Sequence, residues 1–335
     1  MTAGARRATA VAPRPRLLVL RALGLGDLLA GVPALRALRR AHPGHTLVLA
    51  APAGLRDAAA ATGAVDRLLP TGAPGRAVPA LSGWPAPGPE LAVDLHGDGP
   101  ESHAALAALR PRSLISFAAA GTRVPPWRDG EHERARWCRL LAAHHMPADP
   151  RDLRIARPEA PSPAPGAVVV HPGAAARARR WPPERYAAVV RTLRRRGHRV
   201  VVTGGPGEEK TAAEVAAAGG APRRDVLAGD LPFPLLAALV ADAACLLSGD
   251  TGPAHLAVAL GTPSVTLFGP VAPERWGPPP HPRHGVIHPP GPPGDPHGDR
   301  CDPRLLRIAP QEVAAAVLRR ARPEAACEPA AARHD

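Results

Sequence analysis

At 335 residues the chain is long for one hydrophobic core, so two domains are the natural expectation. Its 45% hydrophobic and 21% charged residues are those of a globular protein, and no apolar run reaches the length of a membrane span. A net charge of +13 admits nucleic acid, anionic lipid or a phosphorylated small molecule, but with 3% aromatics a base-stacking platform is not expected, which disfavours nucleic acid and leaves the last two.

Arginine, alanine, glycine and proline dominate, and Lys210 is the single lysine, a bias of coding composition that weakens any argument from arginine density. Cys138, Cys245, Cys301 and Cys327 are far apart with no CxxC pair, so nothing asks for an oxidising compartment. The opening MTAGARRATAVAPRPR has charge but no apolar segment of leader length. The expectation is a cytoplasmic monomer, with a peripheral contact at the inner face of the membrane compatible with the charge.

Leu17–Leu20 reads as a buried strand, followed by a turn through Gly26 and a helix from Asp27 with Leu28, Val32, Leu35 and Leu38 at helical spacing. Strands at 47–50, 65–69 and 91–95 alternate with helices at 53–62 and 101–109. Residues 147–165, rich in proline, alanine and charge, read as a linker. The alternation then restarts, with strands at 168–170, 199–203, 244–248 and 264–268 and helices at 183–195, 208–218, 234–240 and 253–260. A Pro/Gly/His-rich loop covers 270–303 and a closing helix 311–320. This is α/β alternation with two parallel, doubly wound halves, whose ligands bind at the carboxyl ends of strands. The expected division is a tail at 1–15, an N-terminal domain at 16–155, a C-terminal domain at 156–322 and a tail at 323–335.

Strand-end motifs carry the chemistry. Gly24–Asp27 (GLGD) places an acid at a helix start, where it serves either as a helix cap or as a general base. GLGD is not a dinucleotide fingerprint, and no phosphate-binding GxxxxGK[ST] loop is present. His171–Pro182 (HPGAAARARRWP) holds arginines that either clamp phosphate or form a solvated basic loop. Glu208–Glu209 after GGPG either complements a helix dipole or forms an acid/base pair, and one of them could bond a ribose hydroxyl. Ser248–Leu256 (SGDTGPAHL) puts Asp250, Thr251 and Gly252 between a strand and a helix, a natural anion site, with His255 one turn in as a packed residue or a catalyst. His281, His284, His288 and His297 with Cys301 have the residue types of a metal site, but prolines break the segment and no metal is expected.

Taken in order, GLGD, DLHG at 94–97, HPGAAARARRWP, TGGPGEE and SGDTGPAHLAVALGTPSVTLFGP resemble glycosyltransferase family 9, the ADP-heptose:lipopolysaccharide heptosyltransferases, over residues 16–320. The resemblance implies a GT-B fold: two Rossmann-like doubly wound domains facing across a cleft, with acceptor held by the first and nucleotide-sugar donor by the second. It implies inverting transfer of a heptose-like sugar to a glycan or glycolipid hydroxyl, with neither metal nor other cofactor. By motif position Asp27 matches the family's proposed base, Arg179 a basic residue at the donor phosphates, Glu208 an acid near the ribose, and Asp250, Thr251 and Gly252 the diphosphate turn. The donor-side candidates are His171, Gly173, Arg179, Arg180, Glu208, Asp250, Thr251, Gly252 and His255, and the acceptor-side candidates are Gly26, Asp94 and His96. Two departures stand out: Ala174–Ala176 where relatives often carry hydroxyls, and the Pro/His-rich 270–303 segment. A nucleotide-sugar epimerase-like enzyme and a non-catalytic nucleotide-sugar-binding protein on the same fold are the alternatives.

Overall fold

The computed structural model describes residues 14–117 and 124–321; the expected tails, apart from Arg14 and Pro15, lie outside the described residues. The first sheet contains β1 (Arg16–Leu20), β2 (Thr46–Ala51), β3 (Arg67–Pro70), β4 (Leu91–Asp94) and β5 (Ser113–Ile115). Its helices are α1 (Leu25–Ala30), α2 (Val32–Ala41), α3 (Arg56–Ala61), α4 (Pro100–Ala107) and α5 (Glu133–Ala142). The second sheet contains β6 (Val168–His171), β7 (Val200–Gly204), β8 (Val226–Ala228), β9 (Cys245–Gly249), β10 (Ser264–Leu267) and β11 (His284–Ile287). Around it lie α6 (Pro183–Arg195), α7 (Glu209–Gly219), α8 (Phe233–Ala241), α9 (Gly252–Leu260), α10 (Pro273–Trp276), α11 (Pro303–Arg307) and α12 (Pro310–Arg320).

Strand order is β3-β2-β1-β4-β5 in one sheet and β11-β10-β9-β6-β7-β8 in the other. Every pairing is parallel. Parallel strands covered on both faces need apolar residues at successive positions, and β1 shows it: Leu17, Leu18, Val19 and Leu20 are all fully buried. Odd and even residues serve different faces, Leu17 and Val19 packing with Leu35, Leu38 and Trp137, and Leu18 and Leu20 with Leu106 and Leu81. Each such leucine contributes about 1.5–3 kcal/mol relative to exposure. These are the two Rossmann-like halves of a GT-B fold.

Three elements differ from the sequence expectation in ways that matter for the site. The helix expected to run on from Asp27 starts earlier, at Leu25, and breaks at Gly31. A Cβ at Gly31 would lie 3.1 Å from the buried Arg21 side chain, and Pro33 lacks the N–H needed to continue the first helix. Helix α5, in a stretch with no expected element, covers the first sheet through Trp137, Leu140 and Leu141. The 270–303 segment is not a plain loop: it forms α10 and then β11, an edge strand paired with β10 in register from Ser264 opposite His284.

The halves meet through α1 and α9. Leu29 and Val32 leave the first sheet's core and join Leu256, Ala257 and Leu260 of the second. At the starts of these helices a Cβ on Gly26 would lie 2.8 Å from His255 Cδ2, and one on Gly252 would lie 3.2 Å from Leu25 Cβ. Both glycines therefore bring backbone against the opposing half.

Candidate active site

The carboxyl ends of β1, β4, β6, β7 and β9 surround one cavity of about 560 Å³ between the sheets. Asp27 enters from the third position of α1 rather than as its cap. Its Oδ2 accepts from the Gly24 backbone N–H at 3.2 Å, satisfying a donor the helix leaves unpaired. Its Oδ1 accepts from Arg76 Nη2 at 3.2 Å and lies 4.0 Å from Arg21 Nη2. The carboxylate is thus fixed by both oxygens and faces the cavity.

Behind Asp27 lies a buried ionic group that the sequence reading missed. Arg21 is fully buried; it donates to the carbonyls of Asp27 and Leu95 and, at 3.0 Å, to Glu133 Oε1. Glu133 also accepts from Trp137 Nε1 at 2.9 Å and Arg136 Nη1 at 2.7 Å. One guanidinium therefore ties together the GLGD turn, the end of β4 and the start of α5. The only sequence signal for it is the amphipathic ERARWCRLLA, with Trp137, Leu140 and Leu141 on one helical face. Arg136 and Trp127 also line the cavity, the guanidinium carbon 4.0 Å from the Trp127 ring centre.

The acceptor-side candidates divide. Gly26 lines the cavity. His96 does too; its Nδ1 accepts from the Ala22 N–H at 3.3 Å, which leaves the ring proton on Nε2 when the ring is neutral. Burial lowers the His96 pKa, the Arg76 carbonyl opposes this, and the Arg21 and Arg76 charges add to the lowering. Asp94 does not line the cavity. It is fully buried at the end of β4, accepts from the His96 N–H at 2.9 Å, and has its pKa raised by burial. Its place is beneath the site, holding the turn that presents His96.

On the other side Thr251 is the N-cap of α9, and Thr251, Gly252 and Pro253 at that helix start line the cavity beside Arg179. Arg179 Nη1 reaches the Asp250 carbonyl at 3.4 Å, and its Nε is buried without a partner among the described residues. A cation with an unused donor beside a helix start suits an anion. The Asp250 carboxylate is turned toward His255, 3.5 Å from Nε2, so it orients that ring rather than adding to the anion site. Of the donor-side candidates Gly173 does not line the cavity, and neither does Arg180. Arg180 is exposed and its Nε donates to the Ala174 carbonyl at 2.7 Å, bracing the loop from outside the cavity.

Glu208 lies over Gly173, where a Cβ would come 2.0 Å from Glu208 Oε2, so only glycine admits this acid. Glu208 Oε2 accepts from the Gly205 N–H at 2.8 Å and lies 3.6 Å from His171 Nε2. His171 Nδ1 is 3.2 Å from Thr203 Oγ1, and burial lowers the His171 pKa against the pull of Glu208. A neutral ring donating to Thr203 leaves Nε2 as an acceptor beside a second acceptor, and the pair suits a ligand hydroxyl that donates to both.

The 270–303 segment adds Trp276, Arg275, Pro296 and His297 to the cavity wall. Its other histidines are dispersed: His284 bonds Ser264 at 2.9 Å and His288 meets the Phe268 carbonyl at 3.2 Å. No group of three or more metal-ligating side chains occurs among the described residues.

The sequence model of glycosyltransferase family 9 (heptosyltransferase) matches residues 142–288, which hold β6 to β11 and the whole donor-side wall. Over that stretch, less than half of its length, the chain is similar to glycosyltransferase family 9. Among curated proteins it is similar to lipopolysaccharide heptosyltransferase 3 of Escherichia coli, 36% identical over 113 residues. That stretch is 33% of this chain and 33% of the relative, so the match spans about a third of the relative's length. Among solved structures it is similar to E. coli ADP-heptose lipopolysaccharide heptosyltransferase II, with a TM-score of 0.71 and 20% identity over 91% of this chain and 99% of that one. The E. coli heptosyltransferase WaaC, solved with ADP-2-deoxy-2-fluoro heptose, gives a TM-score of 0.66 and 19% identity over 91% and 99%. At these identities the two structures show that the chain shares their fold.

Proposed function

We propose that the chain is an inverting, metal-independent glycosyltransferase that moves a heptose from a nucleotide-diphosphate sugar, ADP-heptose, to a hydroxyl of a lipopolysaccharide-type glycan or glycolipid. The observation that carries this is the pairing of two helix starts across one cavity: Asp27 on α1 faces the Thr251–Gly252 start of α9 and Arg179. A carboxylate on one wall and an anion cradle on the other are the two halves of a displacement at an anomeric carbon.

In this reading the donor diphosphate rests on the N–H groups at Thr251 and Gly252 and on Arg179, and its ribose hydroxyl bridges Glu208 and His171. Asp27 takes the proton of the acceptor hydroxyl, whose oxygen attacks the anomeric carbon from the face opposite the diphosphate. Charge builds on the leaving group as the bond breaks, and Arg179 with the α9 dipole stabilises it where a metal would otherwise be needed. The enzyme works as a cytoplasmic monomer, and its basic surface contacts anionic lipid at the inner face of the membrane. Sedimentation with phosphatidylglycerol vesicles but not phosphatidylcholine vesicles tests that contact.

The deciding experiment combines binding and turnover. ADP-heptose should raise the melting temperature, because a ligand bound only to the folded state stabilises it by mass action. Asp27→Asn should keep that shift while lowering kcat by about 10²–10⁴, and EDTA should leave turnover unchanged. A fully active Asp27→Asn removes the base, loss of activity in EDTA removes the metal-free mechanism, and no response to any nucleotide sugar removes the whole reading. Turnover of donor without acceptor would instead mark an epimerase-like enzyme, and donor binding without any turnover a non-catalytic binding protein.

A further inference from the structure

We infer that Trp276 is the aromatic wall for the acceptor's reacting sugar, delivered to the reaction point by the 270–303 segment and pinned there by the opposite domain. The inference rests on the glycosyltransferase reading and adds a specificity-determining residue to it. Of the five tryptophans in this aromatic-poor chain, Trp127, Trp137 and Trp276 line the cavity that holds Asp27. Trp137 is fully buried and spent on Glu133. Trp127 and Trp276 are half-buried, one from each side of the cleft.

Position singles out Trp276. Its ring meets His255 edge-to-face, with centroids 5.8 Å apart at 74°. His255 in turn packs on Gly26, the residue before Asp27. Trp276 therefore stands beside the junction where the base-bearing helix and the donor-side helix touch. A sugar giving its hydroxyl proton to Asp27 has to lie against that junction. An indole offers such a ring a flat apolar surface for its C–H face and leaves its hydroxyls free for polar partners.

The attachment is built for placement. The carbonyl of Gly277, next in the chain, accepts from His132 Nε2 at 3.0 Å and from Arg134 Nη2 at 3.2 Å, both in the N-terminal half. His132 is also the N-cap of α5, accepting from the Arg134 N–H at 3.2 Å. The helix that presents Glu133 beneath Asp27 is thus the helix that fixes Trp276. Gly277 is needed for this turn because a Cβ there would come 2.5 Å from the Pro273 carbonyl oxygen. The contact with α5, on the Asp27 side of the cleft, assigns Trp276 to the acceptor rather than to the donor, whose diphosphate site lies at Arg179 and Thr251.

The test uses the full chain with ADP and a set of delipidated, truncated lipopolysaccharide cores as acceptor probes, comparing the native protein with Trp276→Leu and Trp276→Phe. Trp276→Leu should weaken core binding or raise its KM roughly tenfold or more, and Trp276→Phe should recover most of it. The melting temperature and the ADP-induced shift should be unchanged in both variants, which a merely structural role would not give. Saturation-transfer NMR should show ring C–H protons of the bound core closest to an aromatic side chain in the native protein and lose that signal in Trp276→Leu. Equal core binding by the native protein and Trp276→Leu overturns the inference, as does a loss of ADP binding that matches the loss of core binding. A native protein that responds to ADP but binds no core in the set also overturns it. A native protein that does not respond to ADP overturns the underlying glycosyltransferase reading instead, so the two failures are distinct.

Discussion

Asp27 is held by its neighbours more tightly than a surface cap needs to be. Both carboxylate oxygens have partners, and the Arg21 guanidinium behind it is compensated by Glu133, itself shared with Arg136 and Trp137. A buried charge left without its partner costs far more than the intact pair contributes. Glu133→Gln keeps the shape and removes the charge facing two buried guanidiniums. It should lower stability by about 3–5 kcal/mol in urea unfolding, and kcat should fall with it because Arg21 no longer fixes the Asp27 turn. A change within about 0.5 kcal/mol, typical of a surface substitution, would show that the network does not hold the turn.

Protonation adds a second prediction at this scale. Burial lowers the pKa of His132 to about 4 from its usual 6.5, with the Arg134 charge adding to it, and burial with the nearby His281 lowers His284 to about 4 as well. Each histidine is held neutral in the folded chain and charges more readily once unfolded. The stabilisation is complete above pH 6.5 and lost as pH falls toward 4. Melting temperature should therefore drop across that window, and the His132→Gln, His284→Gln double variant should show a flatter profile.

Among the elements, the turns after the strands do the positioning, and Gly173 shows how closely. The β6 and β7 turns approach until only a hydrogen fits between the Gly173 backbone and the Glu208 carboxylate. Gly173→Ala should push Glu208 aside, cost about 1–3 kcal/mol of stability as overpacking, and weaken ADP binding more than it lowers kcat. Calorimetric ADP affinity equal to the native value would dissociate Glu208 from the nucleotide. Most of the elements were legible because long apolar runs and helical spacing are local signals: β1, β6, β7, β9 and α9 sit where those signals put them. The short strands β5 and β8, three residues each, carry too little pattern to be seen alone. Helix α5 was hidden by its charge, since Arg136 and Glu133 are buried against each other and Arg139 is paired with Glu131 rather than left in solvent. Strand β11 was hidden by prolines on either side, and its extended form comes from pairing with β10.

In the whole molecule the two halves form one site because α1 gives its apolar residues to both cores. Leu28 stays with the first sheet and Leu29 goes to the second. The second crossing, from Gly277 to His132 and Arg134, runs beside the first, lining a small pocket with Leu29, Ala30 and Val258. The halves are therefore joined by an apolar seam and a polar one.

By itself the sequence determined the alternation of strand and helix, the motifs at the carboxyl ends of the strands, and through them the resemblance to a known family. Those are properties of short contiguous segments, where periodicity, glycine placement and helix starts act locally. Only the tertiary structure decided which motif residues share a surface. It set Asp94 beneath the cavity and Arg180 outside it, turned the Asp250 carboxylate toward His255, put Arg21 with Glu133 behind Asp27, and brought Trp276 from a proline-rich segment near the end of the chain to the same cavity. The reason is that burial and charge pairing are settled between segments: an arginine or a tryptophan has no fixed role until its partner, remote in sequence, has been folded against it.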